Sequence, residues 1–583
     1  MRKSFRDGKI IVACKNYEDV VYDVASNDLH VRFDGKGGIT DYTLNNQSVS
    51  YVKQNFLNLY IDKKSVGVFC DKTVELAGRT LKIILKKDGV RLTVFQFIPP
   101  KGNAVFYEFK ASKAGDYDIV LDLGQAKNGF SFAANVENNY VHENASIYLR
   151  TDKSARFLLS YENDAANCRK LLSRFAEFKK QVVDEFRSVK IPASAKTEKD
   201  KAVYVSAVFS ALENYIEIGS YKSFSAACIY ADPVRTYFDT DYWATLAMIK
   251  NRPDLVRNAI LTLASGIKEN GECPAGITFR LQSRTPSYYD SASFFVLMVY
   301  DYINRTGDLS LLNETVEGKT VYQYCLLTID KLSGYEDETS LIRKPGRYNN
   351  RDWADEVNRV GYVTYVNLLY ARALDCLSRI VGTRDKPRAR RYHGMFLKTK
   401  DAINRLLWDD EKGYYINYKY GDFVEDNLSV DTILAVLFGI SDEKQTERLL
   451  DNISRLLETR NNRDQQAGDF GVMSVFPFYR GVDRCSNRSS REYSFCNGAA
   501  WPYWSALVAY AQLTHGRDHT YALTSSFDWC VKRGIYTLCK YYSPFFPHEI
   551  VPLDTANSVF AFVYDWQDAD FFCENEAVWK TKS

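Results

Sequence analysis

The chain has 583 residues, 46% of them hydrophobic and 26% charged, a balance that excludes disorder, a collagen-like repeat or a coiled coil over most of its length. Lysine plus arginine number 76 against 73 aspartate plus glutamate, so the net charge is +3 and nucleic acid is not expected as a partner. Aromatic residues reach 14%, enough for a thick core and also for walls on which ring-shaped ligands stack.

The N-terminus, MRKSFRDGKIIVACKNYEDV, has an apolar run of about five residues, short of the ~7–15 of a signal-peptide core. No window approaches the ~18 apolar residues of a membrane span. The 12 cysteines are widely spaced with no CxxC pair, which reads as buried free thiols in a reducing compartment. A cytoplasmic protein without a membrane partner is therefore expected, and self-association is left open.

Up to about residue 160 the chain reads as strands. Short runs rich in β-branched and aromatic residues, from KIIVAC at 9–14 to ARFLLSY at 155–161, alternate with turn signals such as Gly35-Lys-Gly-Gly38 and Lys87-Asp-Gly89. They predict an antiparallel β-sandwich over 1–162. Helical spacing over 163–189, closed by Pro192, predicts a single linker helix within 163–196.

From 197 to 583 the pattern is helical. Helices are predicted at about 201–218, 241–251, 253–269, 288–305, 318–332, 361–382, 389–407, 429–439, 442–458, 499–515, 519–534 and 556–569. The basic run Lys386-Pro-Arg-Ala-Arg-Arg391 reads as a solvated loop leading into a helix. Long connections (219–240, 271–287, 333–360, 408–428, 459–498 and 535–555) follow alternate helices. Hairpins with long loops at one end only predict an (α/α)6 toroid with those loops on one face, where function concentrates. The expected fold class is thus β + α, a sandwich followed by a toroid.

The long loops carry clustered acids beside aromatics. Arg235-Thr-Tyr237-Phe-Asp239-Thr-Asp241-Tyr-Trp243 opens the second helix. Either aspartate alone is explained as a helix cap, but an arginine, two acids and four aromatics within nine residues exceed that need. Arg351-Asp352-Trp353-Ala-Asp355-Glu356 places three carboxylates around a tryptophan. Close acids in a partly apolar site raise the pKa of at least one, the condition for a general acid near neutral pH; a solvated helix start is the plainer alternative. Glu492, Asn497 and Trp501 lie together before a helix, and Glu549 sits in a proline-studded aromatic loop before the last one. The six histidines are scattered, and dinucleotide, phosphate-loop and nucleophile-elbow motifs are absent. Paired carboxylates with stacking aromatics, and no expected metal or cofactor, point to glycosidic-bond chemistry.

These segments resemble the six-hairpin glycosidases, above all glycogen-debranching and mannosyl-oligosaccharide glucosidases. Phe238-Asp239-Thr240 with Trp243 is similar to their W-D-T segment, whose Asp holds the sugar, although Phe replaces the usual Trp. Trp353-Ala-Asp355 is similar to the segment carrying the general acid, and Asn497-Gly-Ala-Ala-Trp501-Pro502 to the N-G-x-x-W-P segment before a barrel helix. Glu549 occupies the slot of the general base. The resemblance implies inverting hydrolysis of a carbohydrate substrate, first an α-glucoside, with Asp355 as acid and Glu549 as base. Arg235, Tyr237, Asp239, Asp241, Trp243, Arg351, Asp352, Trp353, Glu356, Glu492, Asn497 and Trp501 would bind substrate, and Asp352, Glu356 and Glu492 are the reserve acids. A disaccharide phosphorylase on the same scaffold, a polysaccharide lyase and a non-catalytic carbohydrate-binding protein remain as rivals.

Overall fold

The computed structural model describes residues 2–14, 20–27, 29–44, 49–66, 72–123, 130–141, 146–161, 163–227, 234–282, 287–345, 352–481, 483–546 and 553–579. Among them the first part of the chain forms β1 (Arg2–Arg6), β2 (Lys9–Cys14), β3 (Tyr22–Ala25), β4 (Leu29–Phe33), β5 (Ile39–Leu44), β6 (Val49–Ile61), β7 (Lys64–Ser65), β8 (Lys72–Ala77), β9 (Thr80–Lys87), β10 (Val90–Phe97), β11 (Ala104–Ala111), β12 (Tyr117–Asp122), β13 (Ser131–Ala134), β14 (Glu137–Val141), β15 (Ser146–Thr151) and β16 (Ser154–Ser160). They make two antiparallel sheets, β1-β2-β8-β9-β10-β11-β16-β13 and β14-β15-β12-β6-β5-β4-β3, with β7 paired to β6. Period-2 alternation is the cause. Leu92 faces Leu85 and Val94 faces Ile83 across β9 and β10, and all four are buried while Lys86 and Arg91 point outward. Strand β1, with the single apolar residue Phe5, escapes a reading that looks for apolar runs.

The expected single linker helix is two: α1 (Ala165–Ser173) and α2 (Phe175–Ser188). Arg174 leaves helical geometry at φ −95° and ψ 12°, and its N–H bonds back to the Leu171 carbonyl. Phe175, Phe178 and Val182 of α2 then pack with Phe97, Phe106 and Leu158 of the first sheet in a cluster of their own. The apolar period runs across the break, which is why one helix is predicted.

The remaining helices are α3 (Glu198–Leu212), α4 (Phe238–Met248), α5 (Pro253–Ser265), α6 (Ser291–Thr306), α7 (Val321–Leu332), α8 (Thr364–Gly382), α9 (Lys386–Leu406), α10 (Leu434–Leu437), α11 (Glu443–Asn452), α12 (Pro502–Thr514), α13 (Thr520–Lys532), α14 (Val559–Asp565) and the short α15 (Glu576–Trp579). Tight turns Val430–Ile433 and Thr555–Ser558 lead into α10 and α14. The even-numbered members pack in sequence, α4 on α6, α6 on α8, α8 on α10, the turn before α10 on α12, and α12 on α14. Contact of α14 with α4 closes the ring. Inner helices are buried nearly all round, as in α6 and α12, and outer ones only along a stripe, as in α9. The basic run 386–391 is therefore not a lead-in loop but the first turns of α9, capped by Asp385, whose carboxylate accepts from the Arg388 N–H.

The first barrel helix ends at Leu212, six residues short of expectation, because Tyr215–Ile218 and Tyr221–Phe224 form a hairpin around Gly219, held at φ +57°. The sandwich docks beside it: Ala25 N–H donates to Glu213 (2.9 Å), Arg79 to the Leu212 carbonyl (2.8 Å) and Val21 N–H to the Gly534 carbonyl (2.8 Å). No helix among the described residues is long and apolar enough to cross a membrane. Each long connection feeds the start of an inner helix, so the site is built from the N-terminal ends of α4, α6, α8, α12 and the two tight turns.

Candidate active site

The loop entering α8 is fixed by a buried chain of charges. Lys344 Nζ lies 2.6 Å from Asp352 Oδ2, Arg359 Nη2 lies 2.6 Å from Asp352 Oδ1, and Arg359 Nη1 lies 2.6 Å from Asp431 Oδ2. Trp353 Nε1 donates to the same Asp431 oxygen at 2.7 Å, and Ala354 N–H donates to Asp352 at 3.0 Å. All four charged groups are buried, where an unpaired charge is costly and a paired, hydrogen-bonded one is tolerated. Burial would raise the Asp352 pKa, but Arg359 and Lys344 outweigh it and hold the carboxyl well below the usual range. Asp352 is thereby a permanent anion of the scaffold and cannot serve as a reserve acid.

Glu356 is also committed. Its Oε1 accepts from Arg488 Nε (2.9 Å) and Nη2 (2.8 Å), and its Oε2 from the Ser489 N–H (3.0 Å), which ties the loop to 487–490. Between these anchors Asp355 is held free. It is exposed, and among the described residues its side-chain hydrogen bond comes from the Tyr288 hydroxyl at 3.5 Å. Desolvation by the surrounding protein pushes its pKa up to about 6, Lys540 and Arg488 pull down, and Glu356 and Asp352 push up. An accessible carboxyl crowded enough for desolvation to dominate is the situation of a cleft wall.

The neighbouring helix starts add further acids. Asp239 stands half-buried in the first turn of α4, with its pKa raised by desolvation against the opposing pull of Lys540. Asp554 caps the turn before α14, accepting from the Ala556 N–H at 2.8 Å, and burial against Lys540 leaves its pKa at about 6. Lys540 Nζ lies 3.6 Å from Asp554 and 5.9 Å from the centre of the Trp501 ring. Asp290, at the start of α6, accepts from the Tyr365 hydroxyl at 3.1 Å; burial, then Asp239 and Asp352, keep its pKa far above the usual range. Positive helix N-termini favour this gathering of carboxylates. Lys540, Asp554, Asp290, Asp431, Lys344, Arg359 and Tyr288 were not singled out from the sequence, although an acid at or just before four of the even-numbered helices was a readable signal.

Other expected residues support the site from behind. Asp241 is fully buried and bonded to Ser223, with burial raising its pKa to about 8, so it is neutral and out of reach of a sugar. Trp243 is core, edge-on to Trp504 at 5.7 Å. Asn497 clamps its loop, accepting from Tyr479 N–H (2.9 Å) and donating to the carbonyls of Tyr479 (3.2 Å) and Ser489 (3.0 Å). Its neighbour Gly498 is at φ +93°, and a Cβ there would meet the Phe478 ring at 2.3 Å. Trp353 and Trp501, edge to face at 5.5 Å, are buried, and Trp501 also stacks on Tyr541 at 5.1 Å. Tyr237 is half-buried at the cap of α4. Glu492 is exposed, 3.9 Å from Arg480 and apart from the charge chain. Arg235 lies in strand Val234–Tyr237, while Arg351 and Glu549 lie outside the described residues.

The Asp241 assignment has a pH signature. An acid with a folded pKa of about 8 and an unfolded one of about 3.9 stabilises the fold fully below the lower value, and that contribution is lost as pH rises through the upper. Asp241→Asn is expected to keep activity and to flatten the decline in melting temperature between pH 4 and 8. Lost sugar affinity with an unchanged melting profile would return Asp241 to the binding surface.

Residues 330–545 match the mannosylglycerate hydrolase MGH1-like glycoside hydrolase domain. An N,N'-diacetylchitobiose phosphorylase of Vibrio furnissii is 26% identical over 248 residues, which are 39% of this chain and 29% of that protein, so the chain spans well under half of that relative. A bacterial glucoamylase complexed with acarbose superposes with a TM-score of 0.61 at 12% identity, covering 95% of this chain and 96% of that one. A rhamnosidase from Klebsiella oxytoca with rhamnose bound follows at 0.51 and 12%, covering 95% of each. The fold is that of the six-hairpin glycosidases, an antiparallel β-sandwich followed by an (α/α)6 barrel.

Proposed function

We propose that the chain is an inverting glycoside hydrolase in which Asp355 protonates the departing glycosidic oxygen. The observation that carries this reading is the setting of Asp355, the free carboxyl between two acids consumed by Lys344, Arg359 and Arg488, with its pKa raised to about 6. Asp239, on the first turn of α4, is suited to hold sugar hydroxyls as an acceptor. Glu549 is the proposed base that takes a proton from water on the opposite face of the ring. An inverting pair requires a carboxyl separation of about 6.5–9.5 Å, room for that water. An α-glucoside is the first substrate class, with α-mannosides and rhamnosides next.

Phosphorolysis is the second reading, favoured by the similarity to a phosphorylase. The charges near Asp355 among the described residues speak for hydrolysis. Asp239 and Asp554 are acidic, and the cations Arg488 and Lys540 already face Glu356 and Asp554, which disfavours a phosphate dianion. A panel of aryl glycosides and oligosaccharides, assayed with and without inorganic phosphate, tests both. Turnover independent of phosphate is expected; turnover only with phosphate, releasing a sugar phosphate, would overturn hydrolysis.

Lys540 supplies a sharper check. Of the charges that lower the Asp355 pKa, it is the largest. Activity that needs protonated Asp355 falls as pH rises through that pKa, so Lys540→Met should carry the alkaline limb of kcat/KM upward by roughly one unit. An unmoved limb would remove either Lys540 from its role or Asp355 from control of that limb.

A further inference from the structure

The segment that follows α13 turns its side chains two ways. Cys539 and Tyr542 face α13: the Cys539 sulfur lies 3.7 Å from the Cys530 sulfur, and the Tyr542 ring stacks on Trp529 at 4.0 Å. Lys540 and Tyr541 face Trp501 instead, with the ammonium 5.9 Å and the ring centre 5.1 Å from the centre of its ring. The Tyr541 hydroxyl accepts from Arg488 Nη1 at 2.8 Å, and Arg488 holds Glu356, the neighbour of Asp355. Both cysteines are buried, and backbone bonds fix them side by side. The Arg533 and Ile535 amides donate to the Cys530 carbonyl, each at 3.0 Å, and turn the chain back beside the helix. Farther on, Asn557 donates to the Cys539 carbonyl at 2.7 Å, and Ala500 and Tyr542 exchange backbone bonds at 3.0 and 3.1 Å.

We propose that Cys530 and Cys539 are a peroxide-sensitive pair whose disulfide reversibly lowers activity by drawing Lys540 and Tyr541 out of the site. The inference rests on the proposed role of Asp355. One thiol loses its proton and its sulfur attacks an oxygen of hydrogen peroxide. The O–O bond breaks, leaving a sulfenic acid and a hydroxide that takes up the proton. The second sulfur then displaces the sulfenic hydroxyl, which departs as water with the second proton. Two thiols and one hydrogen peroxide thus give one disulfide and two waters, and a dithiol reductant returns the electrons. Hydrogen peroxide is small and uncharged, the form of oxidant that a buried pair admits. An S–S bond is about 2.05 Å long, so the sulfurs must close by about 1.7 Å from their contact at 3.7 Å. Helix α13 packs along α12, whereas 539–542 is a loop, so the loop yields. Cys539 moving toward α13 carries Lys540 away from Asp554 and Tyr541 away from Arg488, which slackens the clamp on Glu356. A displacement of about 1 Å around a reacting centre costs up to about 10²-fold in rate.

The test takes the full chain, reduced with dithiothreitol and then exposed to hydrogen peroxide. Peptide mass spectrometry reads the Cys530–Cys539 link, hydrogen exchange reads the Ala500 and Tyr542 amides, and kcat/KM is measured on whichever glycoside the panel finds cleaved. The linked peptide should form, both amides should exchange faster, and kcat/KM should fall about tenfold, all reversed by dithiothreitol. Cys530→Ala and Cys530→Ser should match the reduced parent and be unmoved by peroxide. Absence of the link overturns the switch, as does a linked protein with the parental rate or with parental exchange at both amides; the hydrolase reading then stands. Equal loss of rate in the Cys530 variants places the oxidation elsewhere and also overturns it. With no turnover of any glycoside, a link accompanied by faster exchange keeps the movement and rejects hydrolysis; no link rejects both.

Discussion

Asp355→Asn should lower kcat by about 10²–10⁴-fold on a glycoside with an unactivated leaving group, with KM within a few-fold of the parent. The amide keeps the shape of the side chain and its contact with Tyr288 but has no proton to give. The deficit should shrink as the leaving group needs less help: a glycosyl fluoride, whose anion departs unprotonated, should lose far less than an alkyl glycoside. That graded response separates a general acid from a carboxylate that merely holds a hydroxyl, which would be missed equally on every substrate. Steady-state rates across leaving groups of different basicity measure it. Near-parental rates throughout would remove Asp355 from the role, and since Asp352 and Glu356 are ion-paired, Asp239, Asp554 and Glu492 would be the acids to test next.

Arg359→Met should cost about 3–5 kcal/mol of stability. The guanidinium is completely buried, bridges Asp352 and Asp431, and lies 5.7 Å from the Trp353 ring and 5.3 Å from Tyr365. Removing it leaves Asp431 with the indole N–H of Trp353 and strips Asp352 of one of two cations. Asp352 stands three residues before Asp355 on the same loop, so activity should fall with stability. Denaturant unfolding of the parent, Arg359→Met and the double variant Arg359→Met/Asp352→Asn checks the cause. The second substitution neutralises one stranded carboxyl and should return part of the loss; no recovery would mean that the arginine acts through packing instead.

The barrel helices were legible mainly because their apolar segments run longer than strands, although the expected 429–439 and 556–569 are each a tight turn followed by a short helix, α10 and α14. Their ends were less so. The hairpin after Leu212 shows strand alternation only from Tyr215, too late to stop a helical period that has already carried past it. The linker was misread for the opposite reason, since the period survives the break at Arg174. At the site, local motifs isolated the stretch around Asp355 but could not rank its three acids. Their ranking depends on cations elsewhere: Lys344 and Arg359 arrive from either side, and Arg488 from 132 residues away. Trp243 and Asp241 looked functional because they share a segment with Asp239, yet α4 is buried on every face beyond its first turn, so only the acid nearest its start opens to the cleft.

The central claim is direct displacement by water on the face opposite Asp355. The anomeric configuration of the first sugar released, followed by proton NMR during the first minutes of hydrolysis before mutarotation, tests it most directly. An α-glycoside should yield the β-sugar first; initial release of the α-sugar would require a covalent intermediate on a nearby carboxylate and would contradict the account.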